Sequence, residues 1–309
     1  SCIMIFIIAS LKRNLYFGIQ FNNMQVVESE LILNPDGSIY HLNILPEDIS
    51  DTIFLVGDPD RVEEVSRYFD KIEVKKQKRE FVTHTGYVGN KRLTCISTGI
   101  GTDNIDIVLT EIDALVNMDL KTRQVKEKLT ALNFIRIGTC GSLQHDIPVD
   151  TFLASEYGVG LDGLLGFYNF EVSEEDQQFL EPIIPIVRNL GVHPVIVKAS
   201  DTLLNTVAKD ICKGVTLTNC GFYGPQGRTV RIAPKDKKYI DELSAITLPG
   251  NRKLTNMEME TSAIYGMSKL LGHHALSLNA ILANRVDGTF SKDPHGATDK
   301  LIRHTLNNI

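Results

Sequence analysis

The stretch TIFLVGDPDRVEEVSRYF, residues 52–69, decides the fold class because its pattern changes at a single glycine turn. The apolar run TIFLVG, residues 52–57, is typical of a buried strand, whereas RVEEVSRYF, residues 61–69, repeats its apolar side chains at helical spacing. Pro59 suits the first position of a helix, and Asp58 suits the cap before it. A strand that leads directly into a helix predicts an α/β fold.

The same alternation of strands and helices continues to the end of the chain. Apolar runs predict strands at residues 92–97, 133–138, 194–200, 213–219 and 275–284. An apolar stripe at 3.6-residue spacing predicts a helix that includes Ile105 and Val116, and a second helix is expected at residues 261–271. No linker rich in proline, glycine or serine divides the chain. We therefore expect a single domain at residues 25–309 around a mostly parallel or mixed sheet.

Residues 1–24 do not fit this pattern. Their apolar run, at residues 2–9, is much shorter than the ~20 residues needed to span a bilayer. A basic pair follows the run, whereas a secretory signal places positive charge before it. We expect residues 1–24 to be an N-terminal extension of undetermined origin, with Met24 as a plausible natural start.

Composition and motifs narrow the class of protein. The 309 residues are 43% hydrophobic and carry a formal net charge of −6, which disfavours nucleic acid and membrane surfaces as partners. The five cysteines include no C-x-x-C pair, so we expect reduced thiols in a cytoplasmic protein. The absence of P-loop, G-x-G-x-x-G and G-x-S-x-G motifs argues against the nucleotide and hydrolase chemistries they support. The adjacent His273 and His274 predict a helix end rather than a metal site.

Arginines supply the first candidate ligands. Arg136 lies inside the apolar strand NFIRIG, where a charge is costly unless it is paired or bound to an anion. A guanidinium matches phosphate bidentately, so Arg136 beside the turn at Thr139 is a candidate anion ligand, with a structural ion pair as the equal alternative. Arg61 follows the GDPD turn. Arg79 has basic neighbours and is interpreted, from the residues alone, as a solvated surface charge.

The loop GFYGPQGR, residues 221–228, combines an aromatic ring, an amide and a guanidinium. Phe222 offers a ring on which a flat heterocycle can pack. Gln226 can donate and accept in one plane, and Arg228 can bind a carbonyl or a developing anion. A surface turn with incidental polar residues is the alternative interpretation.

The segment NMEMETSAIYG, residues 256–266, carries Glu258 and Glu260 two residues apart. In an extended segment they share one face, while Met257 and Met259 line the other. A carboxylate that accepts hydrogen bonds from vicinal hydroxyls can hold a ribose, and a methionine can pack on the apolar edge of the sugar. Paired acids of a glycoside hydrolase are disfavoured, because those carboxyls face each other across the scissile bond.

Seven motifs in order, VGDPDRV, KREF, STGIG, RIGTCGS, GFYGPQGR, NMEMET and ILANR, resemble the nucleoside phosphorylase superfamily and, within it, the uridine phosphorylases. The resemblance extends from about Tyr40 to the end of the chain. It implies a single α/β domain whose mixed central sheet is partly barrel-like and flanked by helices. It also implies phosphorolysis of uridine to uracil and ribose 1-phosphate in pyrimidine salvage, with deoxyuridine and thymidine as further candidate substrates. Phosphate is the implied co-substrate, and no cofactor is required.

The resemblance also assigns roles to individual residues. Phosphate would be bound by Gly57, Arg61, Arg136 and Thr139, with Arg79 reaching into the neighbouring subunit's site. Ribose would be bound by Met259 and Glu260, with Glu258 in support and His41 reaching the 5′-hydroxyl across the interface. The base would be bound by Phe222, Gln226, Arg228, Leu282 and Ala283. The implied catalytic residues are Arg136, Gln226, Arg228 and Glu260.

The residues after the last predicted strand bear on the choice of base. Purine-specific relatives carry an aspartate there that can protonate purine N7, whereas this chain has Asn284 and Arg285, which favours pyrimidines. Ala283 replaces a bulkier aliphatic residue of related enzymes, which leaves the preference among uridine, deoxyuridine and thymidine open. A purine nucleoside phosphorylase or a nucleosidase of the same fold is the alternative function.

The resemblance finally implies a homo-oligomer with shared active sites. The cross-subunit roles of His41 and Arg79 require a dimer at least, and a hexamer is the larger alternative. Some relatives bind a monovalent cation, such as K⁺, between subunits at positions that match Glu80, Ile100 and Asn104. The third of these is usually serine, so K⁺ is a candidate here.

Overall fold

The chain forms a large mixed sheet that closes on itself at one end. A computed structural model describes residues 25–309, so the expectation for residues 1–24 lies outside the described residues. The strands are β1 (Thr52–Val56), β2 (Lys71–Lys78), β3 (Phe81–Val88), β4 (Lys91–Ser97), β5 (Met118–Asp119), β6 (Gln124–Val125), β7 (Asn133–Ser142), β8 (Phe152–Gly160), β9 (Val195–Lys198), β10 (Cys212–Thr218), β11 (Leu254–Glu258), β12 (His274–Asn284) and β13 (Thr289–Phe290). The α-helices are α1 (Pro59–Ser66), α2 (Thr102–Asn117), α3 (Glu174–Leu180), α4 (Ile184–Val187), α5 (Asp201–Thr206), α6 (Tyr239–Ala245), α7 (Thr261–Leu271) and α8 (Pro294–Asn307).

The strand order explains the closure. The main sheet runs β13-β12-β8-β10-β11-β7-β1-β4-β3-β2, with β9 beside β8, and β12 also pairs with β7. Strands β7, β12, β8, β10 and β11 therefore form a closed ring, from which β1 to β4 extend as an open sheet. Pairing is parallel between β7 and β12 and antiparallel between β11 and β7. The predicted α/β fold with a mixed, partly barrel-like sheet is confirmed.

Local sequence explains the first β–α unit. The core strand β1 is almost wholly buried, and the side chain of Asp58 accepts a hydrogen bond from the N–H of Asp60, which caps α1 at Pro59 as predicted. The next helix, α2, begins after Gly101, whose φ of 99° favours glycine. Its predicted apolar stripe is buried at Ile105, Leu109 and Ile112. These two turns bring two helix starts to the same edge of the sheet.

Helix α7 spans the predicted residues 261–271 and ends at Gly272, whose φ of 79° gives the left-handed conformation of a helix C-terminus. His273 follows that glycine and His274 starts β12, so the prediction of a helix end at this pair is confirmed. Strand β7 continues to Ser142, so the residues after Gly138 lie within the strand and not in the predicted turn.

Strands β2 and β3 were not predicted from the sequence. In β2, exposed and half-buried residues alternate along KIEVKKQK, and the strand lies at the edge of the sheet. Charged side chains are common on edge strands because they discourage further strand pairing, and they hide the apolar pattern.

Within residues 25–309, the helices are all too short or too polar to cross a bilayer.

Gly86 in β3 gives a test of this packing. It lies opposite Ile72, beside an irregularity in the β2–β3 pairing. A Cβ atom at Gly86 would lie 2.1 Å from the carbonyl oxygen of Lys71, a backbone atom that cannot rotate away. We expect Gly86→Ala to lower the free energy of unfolding by about 1–3 kcal/mol, the usual cost of overpacking, measured by denaturant titration.

The matched control is Gly166→Ala, where a Cβ atom would have no neighbour within 4 Å. We expect the control to change the unfolding free energy by less than about 0.5 kcal/mol, as is usual for an open surface position. Equal stability of the two variants would contradict the described β2–β3 pairing.

Candidate functional site

A single cavity of about 650 Å³ collects the predicted site residues at the edge of the sheet. All of them except His41 and Arg79 line it, although they come from segments spread over most of the described chain. The loop after β1 contributes Gly57, the first turn of α1 contributes Arg61, and β7 contributes Arg136 and Thr139. The remaining wall comes from the loop after β10, the junction of β11 with α7, β12, the turn before β3 and the start of α2.

One end of the cavity is built to receive an anion. The Arg61 side chain is only 17% exposed, and its Nε lacks a hydrogen-bond partner among the described residues. The nearest carboxylate oxygen, on Glu64, is 4.0 Å from that Nε. Burial lowers the pKa of Arg61, and the positive charge of Arg136 lowers it further, although Glu64 opposes both. Two guanidinium groups that destabilise each other's charge would both be stabilised by an anion bound between them.

Arg136 is held inside the sheet by acceptors on both of its terminal nitrogens. Its Nη2 lies 2.6 Å from Glu260 Oε2 and 3.3 Å from Glu258 Oε2, and its Nη1 donates to Asn279 Oδ1 at 2.8 Å. Burial acts against its charge, but the two carboxylates outweigh it and raise its pKa. The side chain is therefore both the structural ion pair and a cavity-lining cation, which the sequence had left as alternatives.

Gly138 makes room for this arrangement. A Cβ atom there would lie 1.9 Å from Arg136 Nη1 and 2.3 Å from its Cζ. The sequence offered Gly138 as a turn residue, whereas it is a strand residue whose missing side chain lets the guanidinium fold back over the backbone.

Glu258 and Glu260 have different roles in the site. Glu258 accepts hydrogen bonds from the N–H of Glu260 at 2.8 Å, the N–H of Thr261 at 2.9 Å and the hydroxyl of Thr218 at 2.7 Å. It thereby anchors the first turn of α7, and burial raises the pKa of its carboxyl despite the opposing charge of Arg136. Glu260 accepts from the N–H of Gly101 at 2.8 Å and from Arg136, which leaves acceptor sites for a ligand.

The extended segment predicted through Glu260 is shorter than expected. Strand β11 ends at Glu258, and Glu260, with φ −137° and ψ −27°, is already the cap of α7. Because the chain bends here, Met257 and Met259 line the same cavity as the glutamates instead of an opposite face. The predicted meeting of the two carboxylates still occurs, through their shared contact with Arg136.

The other end of the cavity is formed by the loop after β10. Arg228 lies over the ring of Phe222, with 3.8 Å from its Cζ to the ring centroid, and donates to Phe222 O at 2.7 Å and to Gln226 Oε1. Its hydrogen bond to the oxygen of Gln226 leaves the amide nitrogen free to donate to a ligand. Burial and the positive charge of Arg285 lower the pKa of Arg228 to about 10.

Arg285 was named in the sequence analysis, but the sequence did not place its side chain near the base end of the site. Its Nη1 is buried and has no hydrogen-bond partner within residues 25–309, and burial lowers its pKa. The signal in the sequence that could have indicated this position is an arginine directly after the long apolar run at residues 275–284. Its neighbour Asn284 does not line the cavity, because its amide donates to Gln144 O and Ile147 O and accepts from two backbone N–H groups. Asn284 therefore shapes the turn after β12.

His41 and Arg79 do not line the cavity of their own chain. His41 Nδ1 is 2.6 Å from Glu111 on α2, which also accepts from the His41 N–H. Arg79 is exposed in the turn between β2 and β3, in the left-handed conformation with φ 55°.

The predicted cation-binding residues do meet at the cavity wall. The side chains of Glu80 and Asn104 lie 3.5 Å apart, next to Gly99, where a Cβ atom would clash with both. Ile100 beside them is 68% exposed.

Polar groups that could bind a ligand line the cavity, but none of the lining residues is an obvious nucleophile. Cys140 lines it, but burial raises the pKa of its thiol to about 12, so the sulfur is a neutral wall atom near pH 7. What remains are three lining guanidinium groups, with Arg285 near one of them, and a carboxylate with spare acceptor sites. Such a site can bind an anion, hold hydroxyls and stabilise negative charge on a leaving group.

Comparison with known proteins agrees with this geometry. The model of the phosphorylase superfamily matches residues 51–307. A uridine phosphorylase from Thermococcus kodakarensis is 28% identical over 268 residues, which is 86% of this chain and 84% of that protein. A uridine phosphorylase from Escherichia coli is 27% identical over 254 residues, which is 80% of this chain and 86% of that protein.

A solved structure gives the same result for the fold. The crystal structure of a Trypanosoma brucei nucleoside phosphorylase that shows uridine phosphorylase activity superposes with a TM-score of 0.80 at 29% identity, covering 90% of this chain and 98% of that one. The family match spans nearly the whole of the sheet and its helices. With its fold, its cavity and this match in agreement, the chain belongs to the phosphorylase superfamily.

Proposed function

We propose that this chain catalyses the phosphorolysis of uridine to uracil and ribose 1-phosphate, as a step of pyrimidine salvage in the cytoplasm. The observation that carries the proposal is the pairing of Arg61 with Arg136 at one end of a cavity whose other end presents Gln226 and Arg228. The names of the relatives from Thermococcus and Escherichia and the reported activity of the Trypanosoma enzyme support the same substrate. Free thiols at Cys95, Cys140, Cys212 and Cys220 agree with a reducing compartment.

The phosphate end would bind and aim the nucleophile. Arg61 and Arg136 neutralise hydrogen phosphate, with the N–H of Gly57 and the hydroxyl of Thr139 as further donors. Attack by a phosphate oxygen forms the bond to C1′ as the bond from C1′ to N1 of uracil breaks, and the electron pair leaves with the base. The hydrogen of hydrogen phosphate ends on uracil. Fixing the anion beside the sugar raises its effective concentration, which is a large part of such a rate enhancement.

The base end would stabilise the departing negative charge. Arg228 and the amide nitrogen of Gln226 can donate to the uracil carbonyls, and Arg285 adds a second positive charge nearby. The lowered pKa of Arg228 reflects a positive region that gains stability when the base becomes anionic. Because that charge develops only as the glycosidic bond breaks, these donors favour the transition state over the bound substrate. Phe222, Leu282 and Ala283 give the base its apolar contacts.

The sugar would be held by Glu260 and Met259. Glu260 keeps acceptor sites for the ribose hydroxyls after its bonds to Arg136 and Gly101, and its negative charge suits the cationic sugar of the transition state. Met259 is half-buried and packs on the apolar edge. Glu258, which anchors α7, keeps this junction rigid.

A pyrimidine base is favoured over a purine by the turn after β12. A purine leaving group benefits from protonation at N7, and Asn284, the residue at that position, carries no acid and has its amide committed to backbone groups. The role of Ala283 in choosing among uridine, deoxyuridine and thymidine is one of size, because it is the smallest of the base contacts.

We also propose that the functional unit is a dimer at least, with a hexamer as the larger alternative. His41 and Arg79 would complete the ribose and phosphate ends of the partner's site, which agrees with their absence from the lining of their own cavity. The cluster of Glu80, Ile100 and Asn104 would lie at the same interface and could hold K⁺ through oxygen atoms.

The decisive experiment is the release of uracil from uridine with and without inorganic phosphate. We expect release only with phosphate, and Arg61→Met should raise the phosphate KM by about 10- to 100-fold, the value of a lost charged hydrogen bond. Arg61 is preferred to Arg136 for this test because its loss leaves no buried carboxylate unpaired. Arg67→Met, in an exposed ion pair at the end of α1, is the control and should leave the phosphate KM unchanged. Release at an equal rate in water would indicate a nucleosidase.

Gln226→Ala tests the base end. We expect kcat/KM for uridine to fall by about 10²–10³-fold, because a preorganised donor to the leaving group is lost. The KM for phosphate should change little, since the loop after β10 is far from Arg61 in the cavity lining. Inosine serves as the comparison substrate: efficient phosphorolysis of inosine by the unmodified protein would instead favour the purine alternative.

Shared sites are tested by mixing Arg79→Ala and Arg61→Met, assayed at a phosphate concentration at which each variant alone has little activity. In a mixed dimer one site then has both arginines intact and the other has neither, so re-association should restore about one quarter of the original activity. Each variant alone, treated in the same way, is the control. If Arg79 acts within its own chain or not at all, mixing will restore nothing.

A further inference from the structure

Five buried polar side chains, one from each strand of the closed ring, form a continuous hydrogen-bonded belt. Arg136 on β7 donates to Asn279 on β12 at 2.8 Å, and Asn279 donates to Ser155 on β8 at 3.1 Å. The Ser155 hydroxyl is 2.5 Å from Thr216 on β10, which donates to Asn256 on β11 at 2.9 Å. Of the five, only Arg136 has any exposed surface, at 6%.

Such a belt is an unusual filling for a narrow barrel. Interiors of small barrels are normally packed with apolar side chains, and each buried polar group costs free energy unless its hydrogen bonds are made. The belt makes most of them, although the amide nitrogen of Asn256 has no hydrogen-bond partner among the described residues. Apolar residues of similar size would close the ring without that requirement. The position of the belt indicates a role in the site rather than in packing, because Arg136, its first residue, lines the cavity.

The direction of the hydrogen bonds is fixed by that first member. A guanidinium can only donate, so the oxygen of Asn279 must face Arg136 and the amide nitrogen must face Ser155. The Thr216 proton is committed to Asn256, so Ser155 must donate to Thr216. Asn279 therefore cannot turn its amide without breaking these two hydrogen bonds.

Asn279 is also the acceptor that opposes the carboxylates. Glu260 and Glu258 attract Nη2 of Arg136 from one side, and Asn279 holds Nη1 from the other. Its register partner on β7 is Gly138, whose missing Cβ leaves the space that Nη1 occupies. Without the amide oxygen, Nη1 would keep only the longer contact with the Ser277 hydroxyl at 3.5 Å, and the guanidinium would rotate toward the two carboxylates.

We infer that Asn279 is a positioning residue that holds the Arg136 guanidinium open to the cavity against the pull of Glu258 and Glu260. The inference rests on the proposed function, in which Arg136 binds phosphate. Asn279 does not line the cavity, so it acts on the bound anion only through Arg136.

The test is Asn279→Leu, which keeps the approximate volume and removes both hydrogen bonds. We measure the steady-state KM for phosphate and for uridine, and the Kd for inorganic phosphate of the protein without nucleoside by calorimetry. Phosphate KM and Kd should both rise by about 10-fold or more, on the scale of one charged hydrogen bond, whereas the KM for uridine should change by less than about twofold.

Thr94→Val is the matched control for the general cost of removing a buried polar group. Thr94 is fully buried and bonds Ser50 and Thr85 in the open part of the sheet, away from the cavity lining. We expect it to lower the thermal midpoint without changing either KM. Asn279→Ser is the second variant in case leucine does not fold, since its side chain is too short to reach Arg136, and the same selective loss of phosphate affinity is expected.

The outcomes separate the inference from the proposed function. An unchanged phosphate Kd in the folded Asn279 variants, or an equal shift in the KM of both substrates, would assign Asn279 a purely structural role and overturn the inference. If the unmodified protein binds phosphate but does not release uracil, the proposed function fails while the phosphate Kd still tests Asn279. If the unmodified protein binds no phosphate, both fail.

Discussion

The buried contact between Arg136 and Glu260 is the interaction on which the rest of the site depends. It joins a strand of the closed ring to the first turn of α7, and through the N–H of Gly101 it reaches the start of α2. A buried ion pair is favourable only when its remaining hydrogen-bonding groups are also satisfied. Here Asn279 satisfies the other terminal nitrogen, and Glu258 is satisfied by backbone N–H groups of the same helix. Fold closure and site assembly therefore depend on the same charged cluster.

The distribution of charge in the cavity matches the reaction proposed for it. Arg61 and Arg136 face the end where an anion would enter, and Arg228, with the charge of Arg285 nearby, faces the end where an anion would leave. The carboxylate of Glu260 belongs beside the sugar, which becomes positive as the bond to the base stretches. The net charge of −6 reports none of this, because a cavity wall of a few residues is a small part of the total.

The sequence predicted elements well where local pattern and position in the fold agree. The strand at β1, the cap at Asp58 and the whole of α7 follow from apolar spacing and from the residues that start and stop helices. It failed at β2, where an edge strand exposes one side and carries lysines, and at Glu260, where the chain leaves the sheet earlier than its alternating pattern implied. In both places the conformation is decided by what lies beside the segment.

The chemistry of the site residues was determined by the sequence itself: guanidiniums, an amide, an aromatic ring and a carboxylate, in an order that resembles one family. Only the tertiary structure decided that Arg136 is at once an ion pair and a cavity wall, that Asn279 faces it, and that Asn284 is turned away from the base. The reason is physical. Residue type fixes which bonds a side chain can make, whereas the partners it meets lie on strands more than a hundred residues apart and become neighbours only when the ring closes.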